Sequence, residues 1–249
     1  MHLAARVLLA LSLLMPLPAS ALIGGKPAPA GIASQAALIV STRGASCTGV
    51  VLTRDLLLTA AHCVQPKADY AVVVFESAGP KLVPATRIAL HPRFDPEHFG
   101  TRKPTPDLAI VKLSSPLPAS FRAAQLSRDI VQPKPGDEFV LAGYGIAAES
   151  DEKSAGKLRT VTLPAIGNTI DSTGVIMVRL SAGGGKAAGA CTGDSGGPVY
   201  KEREVAAVIG WSTGAKGRAC GHVTGATLVA PQLGWIAETA QALGSSIGN

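Results

Sequence analysis

Between Cys191 and Pro198 the chain reads Cys-Thr-Gly-Asp-Ser-Gly-Gly-Pro, which sets Ser195 between an acid, Asp194, and two glycines. The residues that follow carry no side chain to shield its hydroxyl. A serine hydroxyl is a weak nucleophile until a neighbouring base takes its proton. Two upstream segments offer the missing parts. Thr59-Ala60-Ala61-His62-Cys63 holds an imidazole, which titrates near neutral pH and can both accept and return a proton. Pro106-Asp107-Leu108-Ala109-Ile110 holds a carboxylate at the head of an apolar run. Acyl transfer requires a nucleophile, a base, a group to orient that base, and N–H donors for a developing oxyanion. Taken singly, these residues read as a turn serine, a histidine beside a half-cystine and a loop aspartate. Their joint presence is what points to chemistry.

In this order the blocks resemble the three catalytic segments of the chymotrypsin/trypsin family of serine peptidases, the longest match running from Thr192 to Pro198. The resemblance implies Ser195 as nucleophile, His62 as general base and then acid, and Asp107 as the group that fixes the imidazole tautomer. These roles are carried over from the family's own template. It also implies an oxyanion hole made by the backbone N–H groups of Gly193 and Ser195. Leu22-Ile23-Gly24-Gly25 is similar to the family's mature start, whose ammonium inserts and pairs with the acid before the serine, here Asp194. Ala21 precedes Leu22 directly, without the basic residue that ends family propeptides. Signal cleavage alone is therefore expected to expose the activating terminus.

By the same pattern the floor of the specificity pocket lies six residues before the nucleophile, at Gly189, followed by Ala190. Neither carries a charge, which argues against selection of lysine or arginine at P1, the residue whose carbonyl is cleaved. The pocket wall falls within Gly210-Trp211-Ser212-Thr213-Gly214, in one of two registers. Aligning on Trp211 puts Ser212 where glycine is common and narrows the pocket, whereas aligning on Gly214 leaves it open. The expectation is an uncharged P1 residue of small or medium size, with Lys216 and Arg218 near the rim as a rival attraction for an acid. Four cysteines allow three pairings, and the resemblance implies Cys47–Cys63 and Cys191–Cys220. No Cys-x-x-Cys spacing is present and neighbouring residues such as His62 and Cys63 rarely share an ion, so no metal is expected. The loop after Cys63 lacks an acidic cluster for calcium, and no cofactor is expected.

The elements that must hold these groups are short. Apolar or alternating runs rich in valine, isoleucine and threonine recur from Ala36–Val40 to Ala226–Val229, separated by glycine and proline turns. That pattern is all-β, sandwich or barrel. The resemblance selects two six-stranded antiparallel β-barrels with the active site in the cleft between them. The first barrel is expected over about 22–131 and the second over about 137–231, joined through Gln132-Pro133-Lys134-Pro135-Gly136. Leu233, Ile236, Ala237, Ala240 and Leu243 fall near helical spacing and predict a closing helix over about 232–243. Asp95–Pro106, Gly145–Gly156 and Ser181–Ala190 read as mobile loops. His91 resembles part of a family surface segment, and His98 and His222 sit in loops, so none is given a role.

Met1–Ala21 has the form of a secretory signal, with Arg6, an apolar run from Val7 to Leu14 and a small-residue end. That run is far short of the roughly 20 residues needed to span a bilayer. Residues 22–249 are then one peptidase domain, secreted or periplasmic, acting on protein or peptide substrates and meeting protein protease inhibitors. The formal charge of +6 is spread without basic clusters or interleaved aromatics, so nucleic acid is not an expected partner. Two rivals remain. A catalytically silent homologue would bind without cutting, although such chains usually lose part of the site. An esterase of the Gly-x-Ser-x-Gly class would need an elbow and a strand–helix alternation that this sequence lacks.

Overall fold

The computed structural model describes residues 22–101, 103–129, 132–170, 176–215 and 217–247. The signal segment Met1–Ala21 and Lys216 lie outside the described residues. After a two-residue strand β1 (Lys26–Pro27), six strands close the first barrel: β2 (Ala36–Ser41), β3 (Ser46–Thr53), β4 (Leu56–Thr59), β5 (Tyr70–Glu76), β6 (Gly79–Leu90) and β7 (Ala109–Leu113). Their order is β2-β3-β4-β7-β6-β5, and β5 returns to pair with β2. Six more strands make the second: β8 (Glu138–Gly143), β9 (Arg159–Ile170), β10 (Ile176–Leu180), β11 (Pro198–Lys201), β12 (Glu204–Thr213) and β13 (Val223–Leu228). These run β9-β10-β13-β12-β11-β8, and β8 closes on β9. Every pairing in both barrels is antiparallel.

Alternation fixes which side chains face inward. Along β5, Tyr70, Val72 and Val74 are buried while Ala71 and Val73 are half-exposed, so the period-2 pattern gives the first barrel its core with Val51, Leu57 and Val111. The second core gathers Phe139, Leu141, Leu163, Val178, Leu180, Val199 and Ile209. Each fully buried aliphatic side chain contributes about 1.5–3 kcal/mol. A third cluster joins the halves: Leu58, Leu108 and Ile110 of the first barrel meet Val208 and Val229 of the second. Ile236 and Ala240 of the C-terminal helix cover that seam.

Among the described residues four short α-helices accompany the strands: α1 (Ala30–Ala33), α2 (Ala61–Val64), α3 (Pro96–Gly100) and α4 (Leu233–Ala242). The closing helix thus stands where its apolar spacing puts it, preceded by a 3₁₀ turn over Ala230–Gln232. Some features depart from the sequence expectation. Residues 22–27 do not belong to the first barrel. Leu22 is buried in the second core, and β1 pairs with β9 through Lys26↔Thr160 and Pro27↔Arg159. Strand β9 reaches Ile170, because β10 pairs with its second half across a bulge. Asp95–Pro106 contains α3, with the Asp95 side chain accepting from Glu97 N and His98 N at its start. His91 is buried at 5 % exposure, its ring set edge-on against Trp235. Burial, with the charge of Arg93 beside it, pushes its pKa down to about 4, against a smaller rise from the Gln232 side chain.

Candidate active site

His62 stands in α2, directly after β4, and Asp107 lies two residues before β7, the strand that pairs with β4. That pairing brings the two together. The His62 backbone N–H donates to Asp107 Oδ1 at 2.9 Å, and Nδ1 meets Asp107 Oδ2 at 2.7 Å. A carboxylate can only accept, so Nδ1 carries a proton, and in the neutral imidazole Nε2 is then the nitrogen with the lone pair. Asp107 is 2 % exposed and the imidazole 22 %. The Cys47–Cys63 disulfide ties α2 to β3, so the histidine sits on a cross-linked support.

Ser195 comes from the turn that leads into β11. Its carbonyl accepts from Thr48 N at 2.8 Å and lies 3.7 Å from Cys63 Sγ, which places it beside the residue following His62. Ser195 Oγ donates to the Gly210 carbonyl at 3.4 Å rather than to His62 Nε2. Without substrate, the bond between nucleophile and base is commonly long or unformed. Gly210 also marks how close the barrels come, since a Cβ there would stand 3.5 Å from Asp107 Oδ2.

The peptides around Gly193 have defined directions. Thr192 O accepts from Ile146 N at 2.9 Å, and a trans peptide points its N–H opposite its C=O, so Gly193 N–H faces away from Ile146. Asp194 O accepts from Gly197 N at 3.0 Å, which turns Ser195 N–H outward by the same reasoning. Among the described residues neither N–H donates to a protein acceptor. The turn needs glycine at 193, where φ is +93°. Thr48, which the sequence motifs do not flag, is wholly buried. Its Oγ1 donates to Gly193 O at 2.9 Å and accepts from Tyr144 N at 3.0 Å.

Asp194 is completely buried. Its Oδ1 accepts from Gly145 N at 2.8 Å and its Oδ2 from Cys191 N at 2.9 Å. Glycine at 145 is required by this approach, because a Cβ there would overlap the carboxyl. Burial raises its pKa to about 7, and the two N–H groups only partly offset that. Among the described residues no side-chain cation pairs with it. Ile23 exchanges both backbone hydrogen bonds with Gly189, so the segment beginning at Leu22 is anchored to the residue expected at the pocket floor.

Around that floor, Ala190 N donates to Thr224 Oγ1 at 3.0 Å, and Thr224 is wholly buried. Strand β12 pairs Trp211 with Gly225 and Ser212 with Thr224, and it ends at Thr213. Ser212 therefore stands across from Thr224, and Gly214 lies beyond the strand. Arg218 is exposed. The second disulfide joins Cys191 to Cys220 and ties the segment before the serine to the one after Gly214. Among the described residues two groups bring histidine, cysteine or glutamate atoms together, Cys47-His62-Cys63 and Glu149-Cys191-Cys220, but their sulfurs are spent in the disulfides.

Two further residues became visible only in three dimensions. Phe99 of α3 stacks on the His62 ring, centroids 4.2 Å apart and planes 14° from parallel. Thr224 fills the space beside Gly189. Neither has a motif signal, because each acts through register and loop conformation.

A family model described as Trypsin matches residues 22–236. Dog Serine protease 1 is 24 % identical over 181 residues, covering 68 % of this chain and 70 % of its own. Rat Trypsin V-B is 26 % identical over 207 residues, covering 79 % and 80 %. Among solved structures, mouse neuropsin, a serine protease expressed in the limbic system of the brain, superposes with a TM-score of 0.68 at 20 % identity. That superposition covers 87 % of this chain and 99 % of neuropsin, and shows the shared fold.

Proposed function

We propose, for a chain that belongs to the trypsin family and is a serine endopeptidase, that Ser195, His62 and Asp107 carry out the cleavage. Ser195 Oγ attacks the scissile carbonyl while its proton passes to His62 Nε2. Asp107 holds the Nδ1 proton in place and stabilises the imidazolium. The carbonyl oxygen becomes anionic against the N–H groups of Gly193 and Ser195. As the C–N bond breaks, His62 returns the proton to the leaving amine. Water then attacks the acyl-enzyme with His62 again as base, releasing the acid and restoring the serine. The observation that carries this reading is the doubly anchored His62–Asp107 pair, 2.7 Å apart at Nδ1, beside the turn that carries Ser195.

The activating cation is the ammonium freed at Leu22 when the leader Met1–Ala21 is removed. Two facts support this: Asp194 has a buried carboxyl lacking a side-chain cation among the described residues, and Leu22 is fully buried in the same barrel. The leader and two disulfides fit export to an oxidising compartment. No helix among the described residues is long and apolar enough to cross a membrane. For specificity, Gly189 and Ala190 give an uncharged floor, while Ser212 and Thr224 narrow the space above it. Substrates are then proteins or peptides with a small uncharged P1 residue.

A peptide library varied at P1, incubated with the processed chain and with Ser195→Ala, tests both parts. Cleavage after alanine-sized residues by the wild-type chain alone is the expected result. Cleavage after lysine or arginine would refute the pocket assignment, and unchanged cleavage by Ser195→Ala would refute the nucleophile.

A further inference from the structure

We propose that Thr48 is a positioning residue for the oxyanion site, through which the first barrel holds Gly193 of the second in its working conformation. This rests on the reading of Gly193 N–H as an oxyanion donor. Two peptide planes flank Gly193, and both must be fixed for that N–H to keep its aim. The preceding plane is held within the second barrel, by Ile146 N on Thr192 O at 2.9 Å. The following plane is held at both ends, within the second barrel by Asp194 N on Cys191 O at 3.1 Å and from the other barrel by Thr48 Oγ1 on Gly193 O at 2.9 Å.

The hydroxyl is itself fixed. It has one proton to give, and it accepts from Tyr144 N at 3.0 Å, so the direction of that proton is set. Thr48 N meanwhile donates to Ser195 O at 2.8 Å, and Thr48 O accepts from Thr59 Oγ1 at 2.8 Å. One fully buried residue of β3 therefore contacts both peptides whose neighbouring N–H groups would face the oxyanion. Glycine at φ +93° has little intrinsic preference to keep it there, so loss of the hydroxyl leaves the 193–194 peptide held by Asp194 N–H alone and lets it tilt. Thr48 touches neither substrate nor reacting atoms, and its effect passes entirely through Gly193.

The test compares the processed wild-type chain with Thr48→Val, which keeps the shape and removes the hydroxyl, and Thr48→Ser, which keeps the hydroxyl. Removing a whole oxyanion donor costs roughly 10²–10³ in kcat, so blurring one should cost about tenfold or more. We expect Thr48→Val to lower kcat by about that factor with KM within about twofold. A peptide boronic acid, whose tetrahedral adduct on Ser195 puts an oxygen where the oxyanion forms, should bind more weakly by the same factor. Thr48→Ser should restore both. Wild-type kcat and boronate affinity in the valine variant would overturn the proposal, as would a loss confined to KM or one shared equally by serine. If the valine variant does not fold, Thr48→Ala and Thr48→Ser are compared by the same criteria. Hydrolysis that survives Ser195→Ala would instead sink the underlying reading of the site.

Discussion

His62 and Asp107 come from the first barrel and complete each other. One carboxylate takes both the backbone N–H and Nδ1 of the histidine, a disulfide holds α2, and Phe99 covers the ring. Ser195 and Asp194 come from the second barrel and are held differently. Their turn is glycine-rich, Gly193 O accepts from a hydroxyl of the other barrel, and Asp194 is buried with two N–H donors and no side-chain cation among the described residues. The first half is a finished acid–base pair. The second is a nucleophile whose surroundings, on the proposed reading, are completed by the terminus freed at Leu22. On that reading an activation step in the glycine-rich half would reshape the oxyanion turn and the pocket without disturbing the imidazole.

The largest break is expected on the finished side. Asp107→Asn should lower kcat by about 10⁴ with little change in KM, the size seen for the same change in this family's template, measured on a peptide substrate. A similar KM but only a few-fold loss of kcat would mean that Asp107 does not set the tautomer. On the second side, a chain whose leader is made uncleavable should lose about a hundredfold or more in kcat/KM. The basis is the few kcal/mol that an unpaired buried charge costs.

The pH dependence separates the halves further. In the uncleaved chain the Asp194 carboxyl is raised from 3.8 to about 7, so the folded form holds a proton more tightly than the unfolded form. Stability from that group is full below about pH 4 and is lost as pH rises to about 7. Freeing Leu22 should abolish this trend. His91 works the other way, being lowered from 6.5 to about 4, so its contribution is full above about pH 6.5 and falls away towards pH 4. Melting temperatures across pH 4 to 8 for both chain forms check the pair of slopes.

Smaller effects sharpen the comparison. Thr224→Gly should enlarge the pocket and shift relative kcat/KM towards larger P1 residues by roughly 10- to 100-fold, the worth of a methylene or two. Unchanged selectivity would show that Thr224 does not bound the pocket. Phe99→Leu removes the stacked ring and should cost only about two- to tenfold in kcat on an ester too small to reach beyond P1.

Motif-borne features were legible in the sequence because their chemistry needs particular residue types in series. The Ser195, His62 and Asp107 blocks, the half-cystines and the run of short strands fall in this class, and the apolar run Ala36–Val40 falls within β2 (Ala36–Ser41). Features that depend on register were not legible. Whether Ser212 or Gly214 stands opposite Thr224 depends on the pairing of β12 with β13, which sets Ser212 there. Thr48 reads as an ordinary strand threonine, and its role exists only because β3 runs beside the serine turn of the other barrel. Residues 22–27 were assigned by chain order to the first barrel, whereas hydrogen bonding to Gly189 and β9 draws them to the second.

The most direct measurement is covalent labelling of the processed chain with a fluorophosphonate, followed by mass mapping of the adduct. The account predicts a single adduct on Ser195, absent in Ser195→Ala and strongly slowed in His62→Ala. A folded chain beginning at Leu22 that takes no label, or takes it on another residue, would contradict it.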